Sequence, residues 1–325
     1  MKALVTRCLL MVLLVAATLV AAQVLIPPDR EDYLAIINWK VKHLEETPPP
    51  RIVFVGGSNL AFGIDSAEIE GALHTTVVNM GMGFNMGLRF MLDLVEPRVG
   101  KGDLVVLVPE YNLFYGLFDG DERLLDVLEL YPEGWKLVHS RQQWKNLVMN
   151  SFRHVKFKVN RVLQQIGHVP DPACVYCPQA FNDHGDLTAH LGKPGKDVAK
   201  MAFLKNAGRD VDNEAIDGIN TFAARLEAKG ARVVFLYPSI PRPHYDERKA
   251  AIERLHAALT ARMKVPQLST PEDFVYPADE FYDWVYHLNA DGREKRTKAI
   301  IADLRPTVEA MRGAAAAAPP AAAGR

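Results

Sequence analysis

Two stretches far apart in the chain hold the residues best suited to nucleophilic chemistry. The first runs from Gly56 to Ser66 as Gly-Gly-Ser-Asn-Leu-Ala-Phe-Gly-Ile-Asp-Ser, directly after a short apolar, β-branched run at residues 51–55. Two glycines before Ser58 permit a tight turn that exposes a hydroxyl and backbone N–H groups at a strand end. A serine hydroxyl is a weak nucleophile until a base takes its proton. A phosphate-binding loop is the rival for such a turn, but the Gly-Lys-Ser/Thr signature is absent.

The second stretch, Phe281 to Asn289, supplies a base. Asp283 and His287 stand four residues apart, and on a turn they can converge. The carboxylate would then fix the imidazole tautomer and stabilise its protonated form. The chain has ten histidines; this one is singled out by its aspartate neighbour and by its place just before a final helix.

The elements that must position these groups are legible in the periodicity. Residues 51–55 and 75–78 read as strands, and Asp-Leu-Val-Val-Leu-Val at 103–108 reads as a parallel strand covered on both faces. Helical spacing marks 65–73, 84–95 and, later, 213–229, closed by Gly230. A strand at 232–237, a proline-bearing loop at 238–245 and a helix at 246–263 follow. Extended pieces lie near Gln267 and at 274–276. A last helix spans 290–311, with a break or kink before Pro306. Such alternation implies a doubly wound parallel sheet with right-handed crossovers. Ligands then bind at the carboxyl ends of the strands, which points to the loops at 56–63, 79–85 and 109–112.

Between residues 114 and 210 the alternation fades. Helices are expected at 121–131 and 142–166, with a loop-like stretch at 167–195. Cys174 and Cys177 sit there between Pro172 and Pro178, a loop setting unlike a redox helix start, and a local disulfide is expected in an oxidising compartment. Asp183, His184, Asp186 and His190 match no ligand spacing, so a solvated loop is expected; no metal and no cofactor is expected.

A formal net charge of −1 leaves no basic excess for nucleic acid. Lys2 and Arg7 flank an apolar run from Cys8 to Ile26, the pattern of an export segment. It is long enough to remain as a membrane anchor, while Val20-Ala21-Ala22 would suit cleavage; anchoring is the favoured alternative. In either case the remainder is exported, to the outer face of the inner membrane or beyond. Residues 28–50 read as a helical connector or stalk, with Tyr33, Ile36, Ile37, Val41 and Leu44 at helical spacing and Pro48-Pro49-Pro50 as a stop. The alanine- and proline-rich tail, 313–325, reads as disordered.

The glycine–serine loop after the first strand, taken with the aspartate–histidine pair before the last helix, resembles the SGNH (GDSL-like) hydrolase superfamily. The likeness spans residues 51–304, the central insertion excluded. Tyr286-His287-Leu288-Asn289 with Gly292, Pro109-Glu110-Tyr111, and Phe181-Asn182 with Gly185-Asp186 resemble its envelope branch, which includes alginate acetyltransferase-like and D-alanyl-transfer-like proteins. The resemblance implies Ser58 as nucleophile and Asp283 and His287 as its partners. It also implies an oxyanion hole built from the N–H groups of Ser58 and of Gly81, in Asn79-Met80-Gly81-Met82-Gly83. The family's third block, Gly-x-Asn-Asp, is replaced by Pro109-Glu110-Tyr111-Asn112, so the third donor falls to Tyr111 or Asn112.

The expectation is therefore a flavodoxin-like, three-layer α/β/α domain with a parallel sheet, spanning 51–312, with a mainly helical insertion at 114–210 and a signal or anchor at 1–27. Its expected chemistry is acyl-ester hydrolysis or O-acyl transfer on envelope or exported polysaccharide. The implied partners are an acylated carbohydrate or acyl donor and a membrane acyl-transfer protein. The rival from another class is a catalytically silent scaffold of the same fold.

Overall fold

The computed structural model describes residues 1–121, 123–165 and 173–317. An N-terminal helix, α1 (Lys2–Leu25), has no buried residue, reaches a mean hydropathy of 2.6, and is long and apolar enough to cross a membrane. The chain then turns through Tyr33–Ile36 into α2 (Ile37–Glu46). The expected stalk is instead part of the domain: Leu34, Ile36, Ile37, Val41 and Leu44 are all buried in the main core. Their helical spacing is the inward stripe of an amphipathic segment.

The central sheet is four-stranded and fully parallel, in the order β2-β1-β3-β4. Its strands are β1 (Arg51–Gly56), followed by the short α3 (Ser58–Gly63) and α4 (Ser66–Leu73), then β2 (Thr76–Asn79), α5 (Leu88–Val95) and β3 (Leu104–Val108). After β3 come α6 (Arg123–Leu130) and α7 (Arg141–Gln165), then α8 (Asn213–Ala228) and β4 (Arg232–Phe235). Every residue of β1 and β3 is buried, because helices cover both faces; burying each Val, Leu or Ile contributes roughly 1.5–3 kcal/mol. Helices flank the sheet on both sides, the three-layer α/β/α arrangement expected.

A two-stranded parallel ribbon, β5 (Ile240–Pro241) with β6 (Val275–Tyr276), brackets α9 (Arg242–Arg262). The loop expected at 238–245 gives way to helix from Arg242, since Pro243 in the first turn lacks only an N–H that would be unpaired there anyway. The last helix, α10 (Ala290–Ala317), covers the expected 290–311 and runs through Pro306 without the expected break. It also takes in the start of the expected disordered tail, where alanine is the strongest helix former. Residues 318–325 of that tail lie outside the described residues, as do residues 166 and 167–172 of the expected helix and loop.

Candidate active site

The register of the sheet sets the site. β1 ends at Gly56, paired with Val108, so the first and third loops leave the sheet side by side. A Cβ at Gly56 would stand 2.4 Å from the Val108 carbonyl, and one at Gly57 would strike the Glu110 carboxylate. Only glycine permits this approach. The expected loop at 56–63 is mostly helix, with Ser58 as the first residue of α3. A first-turn N–H has no partner within its own helix, and none in the preceding turn accepts from Ser58.

The Asp283–His287 segment is closed on itself. Phe281 bridges Leu288 in antiparallel fashion, and the N–H of Tyr282 donates to the His287 carbonyl at 2.7 Å. This turn places His287 Nε2 2.9 Å from Ser58 Oγ and His287 Nδ1 2.9 Å from Asp283 Oδ1. The Phe62 ring, from α3, lies on the imidazole at 3.8 Å and nearly parallel to it. All three polar groups are buried. Ser58, Asp283 and His287 thus converge although 229 residues separate the serine from the histidine.

Burial pushes the His287 imidazole below its ordinary value, with Asp283 opposing that shift. The neutral ring is the form able to accept a proton. Burial pushes the Asp283 carboxyl up, but the hydrogen bond and charge of His287, the Tyr176 hydroxyl and the charge of Lys196 outweigh it and hold it low. Tyr176 donates to Asp283 Oδ2 at 2.7 Å and is 2.9 Å from Oδ1. Its ring is edge-on to Tyr33, centroids 5.8 Å apart.

The third loop has a different job from the one expected of it. Glu110 is fully buried and accepts the N–H of Gly57 at 3.0 Å and of Asn59 at 3.1 Å, bracing both sides of Ser58. From α10, the buried Arg296 donates to the Asn59 carbonyl at 2.6 Å and to its side-chain oxygen at 2.7 Å, while Asn59 Nδ2 donates to the Val108 carbonyl. Tyr111 and Asn112 do not reach the cleft. The chain enters a 3-10 turn at Tyr111, whose ring packs against Phe203 and Tyr237. Asn112 Oδ1 accepts from the Tyr286 hydroxyl at 2.9 Å.

Gly81 is also placed differently. Its N–H donates to Asn79 Oδ1 at 2.8 Å and so is engaged. A Cβ there would come within 2.5 Å of Leu60, so glycine lets the second loop close onto α3. The buried Lys40, from α2, secures this loop by donating to the carbonyls of Asn79, Gly81 and Gly185, each at 2.7 Å. Burial pushes its ammonium down to about 7, opposed by the charge of Asp186. Two residues further on, Gly83 lines the cleft beside Ser58 and Tyr33. A Cβ at Gly83 would stand 2.7 Å from the Tyr33 hydroxyl, and burial pushes that phenol well above its ordinary value.

The cleft itself measures about 430 Å³ and includes Ser58, His287, Tyr33, Gly83, Tyr176 and Trp284 in its lining. The prolines of 238–243 are not among its lining residues.

The insertion residues act as struts. Asp186 is buried and accepts from Ser66 N–H at 2.8 Å, Asn79 Nδ2 at 2.8 Å and Arg293 at 3.3 Å. His190, also buried, meets the Leu288 carbonyl at 2.9 Å, and burial pushes it down to about 4. His184 faces Glu70. These side chains serve three separate places, and Asp186 and His190 are buried where a solvated loop was expected. Among the described residues no cluster of His, Cys, Asp or Glu could hold a metal ion. The expected disulfide is not formed: the Cys177 thiol, buried under Phe62 and Leu187, points at the Cys174 carbonyl at 3.4 Å.

Three residues of the site escaped the sequence. Tyr33 and Tyr176 lie in segments read as a connector and as a cysteine loop, and neither carries a local signal of its role. Arg296 is one of several cations on a helix whose buried face is not obvious from periodicity. No protein-family model and no curated protein matches the chain.

Proposed function

We propose that the protein is a serine-dependent acyl-transfer enzyme of SGNH type, working through an acyl-enzyme on Ser58. The observation that carries this is the continuous relay Asp283–His287–Ser58, with both links at 2.9 Å, opening onto a cleft of about 430 Å³. His287 Nε2 takes the proton as Ser58 Oγ attacks an acyl carbonyl carbon. The tetrahedral oxyanion is held by the N–H groups of Ser58 and Gly83, with the Tyr33 hydroxyl as the side-chain donor. A donor of this kind is worth about 3 kcal/mol in transition-state stabilisation. Collapse expels the first alcohol, which receives the proton from His287, and leaves the acyl ester on Ser58. A second hydroxyl then repeats the sequence in reverse, restoring the free serine.

The particular reading is an esterase or O-acyltransferase acting on envelope or exported polysaccharide, outside the inner membrane and anchored by α1. Its support is the apolar N-terminal helix, the resemblance of the Tyr286-to-Gly292 and Pro109-Glu110-Tyr111 segments, and a cleft walled by Tyr33, Tyr176, Phe84 and Trp284. Such rings suit the apolar faces of sugars. The silent-scaffold reading draws on the altered third block, yet Glu110 is used there to brace the nucleophile turn.

Incubation of the protein with an activated acetyl ester and candidate glycan oligomers, followed by mass spectrometry, tests this reading. The expected products are acetylated Ser58 and then acetylated glycan. Acetate release that no glycan diverts identifies a plain esterase, and the absence of any acyl-enzyme favours the scaffold.

A further inference from the structure

Outside the cleft, the most unusual surface belongs to α7. Its 25 residues contain six Lys or Arg and no Asp or Glu. One side is built into the domain: Gln143, Leu147, His154 and Lys158 are buried. The other side exposes Trp144, Val148, Phe152, Val159 and Leu163, spaced by four, four, seven and four residues, which makes one stripe along the helix. Val148 and Phe152 are 68% and 67% exposed. Trp135 stacks on Trp144 and extends the stripe at its start. Arg141, Lys145 and Lys156 are exposed on this side and have no carboxylate partner among the described residues.

An apolar stripe bordered by cations with tryptophans at one end is the composition of a helix lying in a membrane interface. Soluble proteins seldom leave such a patch in water. What selects a membrane over a protein as the occupant is α1. The end of that helix is fastened to α7: Lys158 donates to the Gln23 carbonyl at 3.1 Å, and Arg161 donates to the Pro27 carbonyl at 2.5 Å. Residues 23–27 are where a span beginning at Lys2 leaves the bilayer, so α7 is held at headgroup depth. We infer that α7 lies in the outer interface of the membrane that α1 crosses, with its stripe among acyl chains and Arg141, Lys145 and Lys156 on anionic headgroups. This rests on α1 as a span and is independent of the acyl-transfer reading.

The experiment uses the full chain in lipid nanodiscs. The four tryptophans are Trp39, Trp135, Trp144 and Trp284, and two of them lie on the proposed surface. Lipids brominated along the acyl chain quench indoles that enter the bilayer, so they are expected to lower the emission roughly by half, two of the four indoles lying at the interface. The Trp135→Phe/Trp144→Phe protein should lose that quenching while keeping its far-ultraviolet circular dichroism. In discs containing phosphatidylglycerol the quenching should strengthen and fall with salt. Replacing Arg141, Lys145 and Lys156 with Gln should remove that dependence, each cation accounting for about a fivefold preference. A chain that enters the discs but shows no quenching of Trp135 and Trp144 overturns the inference and leaves the stripe to a protein partner. A chain that does not enter the discs overturns the span and the inference together. Quenching with no dependence on anionic lipid overturns the headgroup contact.

Discussion

Glu110 accepts the peptide N–H on each side of Ser58, so a carboxyl group from the end of β3 fixes the turn that presents the Ser58 hydroxyl. Burial pushes its carboxyl above the ordinary value, and the hydrogen bonds from Asn59 and Gly57 offset that only in part. Replacing it with Gln turns one acceptor into a donor that faces an N–H. Glu110→Gln should therefore lower kcat on an aryl acetate by roughly 10–100-fold, in line with a buried donor left unpaired, while KM changes little. Steady-state kinetics on the two proteins check this; unchanged kcat would show that Glu110 does not set the turn.

Tyr33 reaches the cleft from the segment before the domain's first strand. Tyr33→Phe removes the hydroxyl beside Gly83 and little volume. It should cost on the order of 10²-fold in kcat, the usual loss for one oxyanion donor, without changing the melting temperature appreciably. Tyr33→Phe kinetics equal to wild type would remove the phenol from the oxyanion site.

The pH profile carries a sign fixed by His287. Burial lowers its pKa from the ordinary 6.5, and only the neutral ring can take the serine proton. Activity should be lost as pH falls, with a midpoint below 6.5, and should be flat above it through neutrality. Asp283 opposes the lowering, so Asp283→Asn should shift the midpoint further down and cut the plateau on the order of 10³–10⁴-fold. A midpoint above 6.5 in wild-type kcat/KM would contradict the assignment of His287 as the base.

Lys40 ties α2 to the second and insertion loops through three carbonyls. Lys40→Met leaves all three without that donor and should destabilise the protein by roughly 2–4 kcal/mol. Urea unfolding followed by circular dichroism measures it. A loss below about 0.5 kcal/mol, the size of an ordinary surface change, would mean the carbonyls find water instead.

What could be read from the sequence was local. The apolar run at 104–108 announces a strand covered on both faces, and Gly56-Gly57-Ser58 and Asp283-to-His287 each announce a turn within a few residues. What could not be read depends on packing across distant segments. The spacing of Ile36, Ile37, Val41 and Leu44 showed an amphipathic helix but not that the domain's own core covers it. The resemblance assigned the Gly81 N–H to an oxyanion hole, but that N–H is taken by the side chain of Asn79, a competition invisible in a motif. Tyr176 lay between two cysteines that drew attention to sulfur chemistry, whereas its hydroxyl is what touches Asp283. Pro306 marked a break or kink in the last helix on local rules, and the structure carries the helix through it unbroken, with Leu304 and Val308 packed into the core.

The most direct test of the central claim is covalent labelling of the purified protein with a fluorophosphonate, followed by peptide mapping. An activated serine attacks phosphorus, and unactivated hydroxyls do not. The account predicts a single adduct on Ser58 in the wild type, none in Ser58→Ala, and labelling of His287→Ala slowed by at least roughly 10³-fold, the scale of losing a triad base. Absence of labelling in a folded wild-type protein, or an adduct that persists in Ser58→Ala, would contradict it.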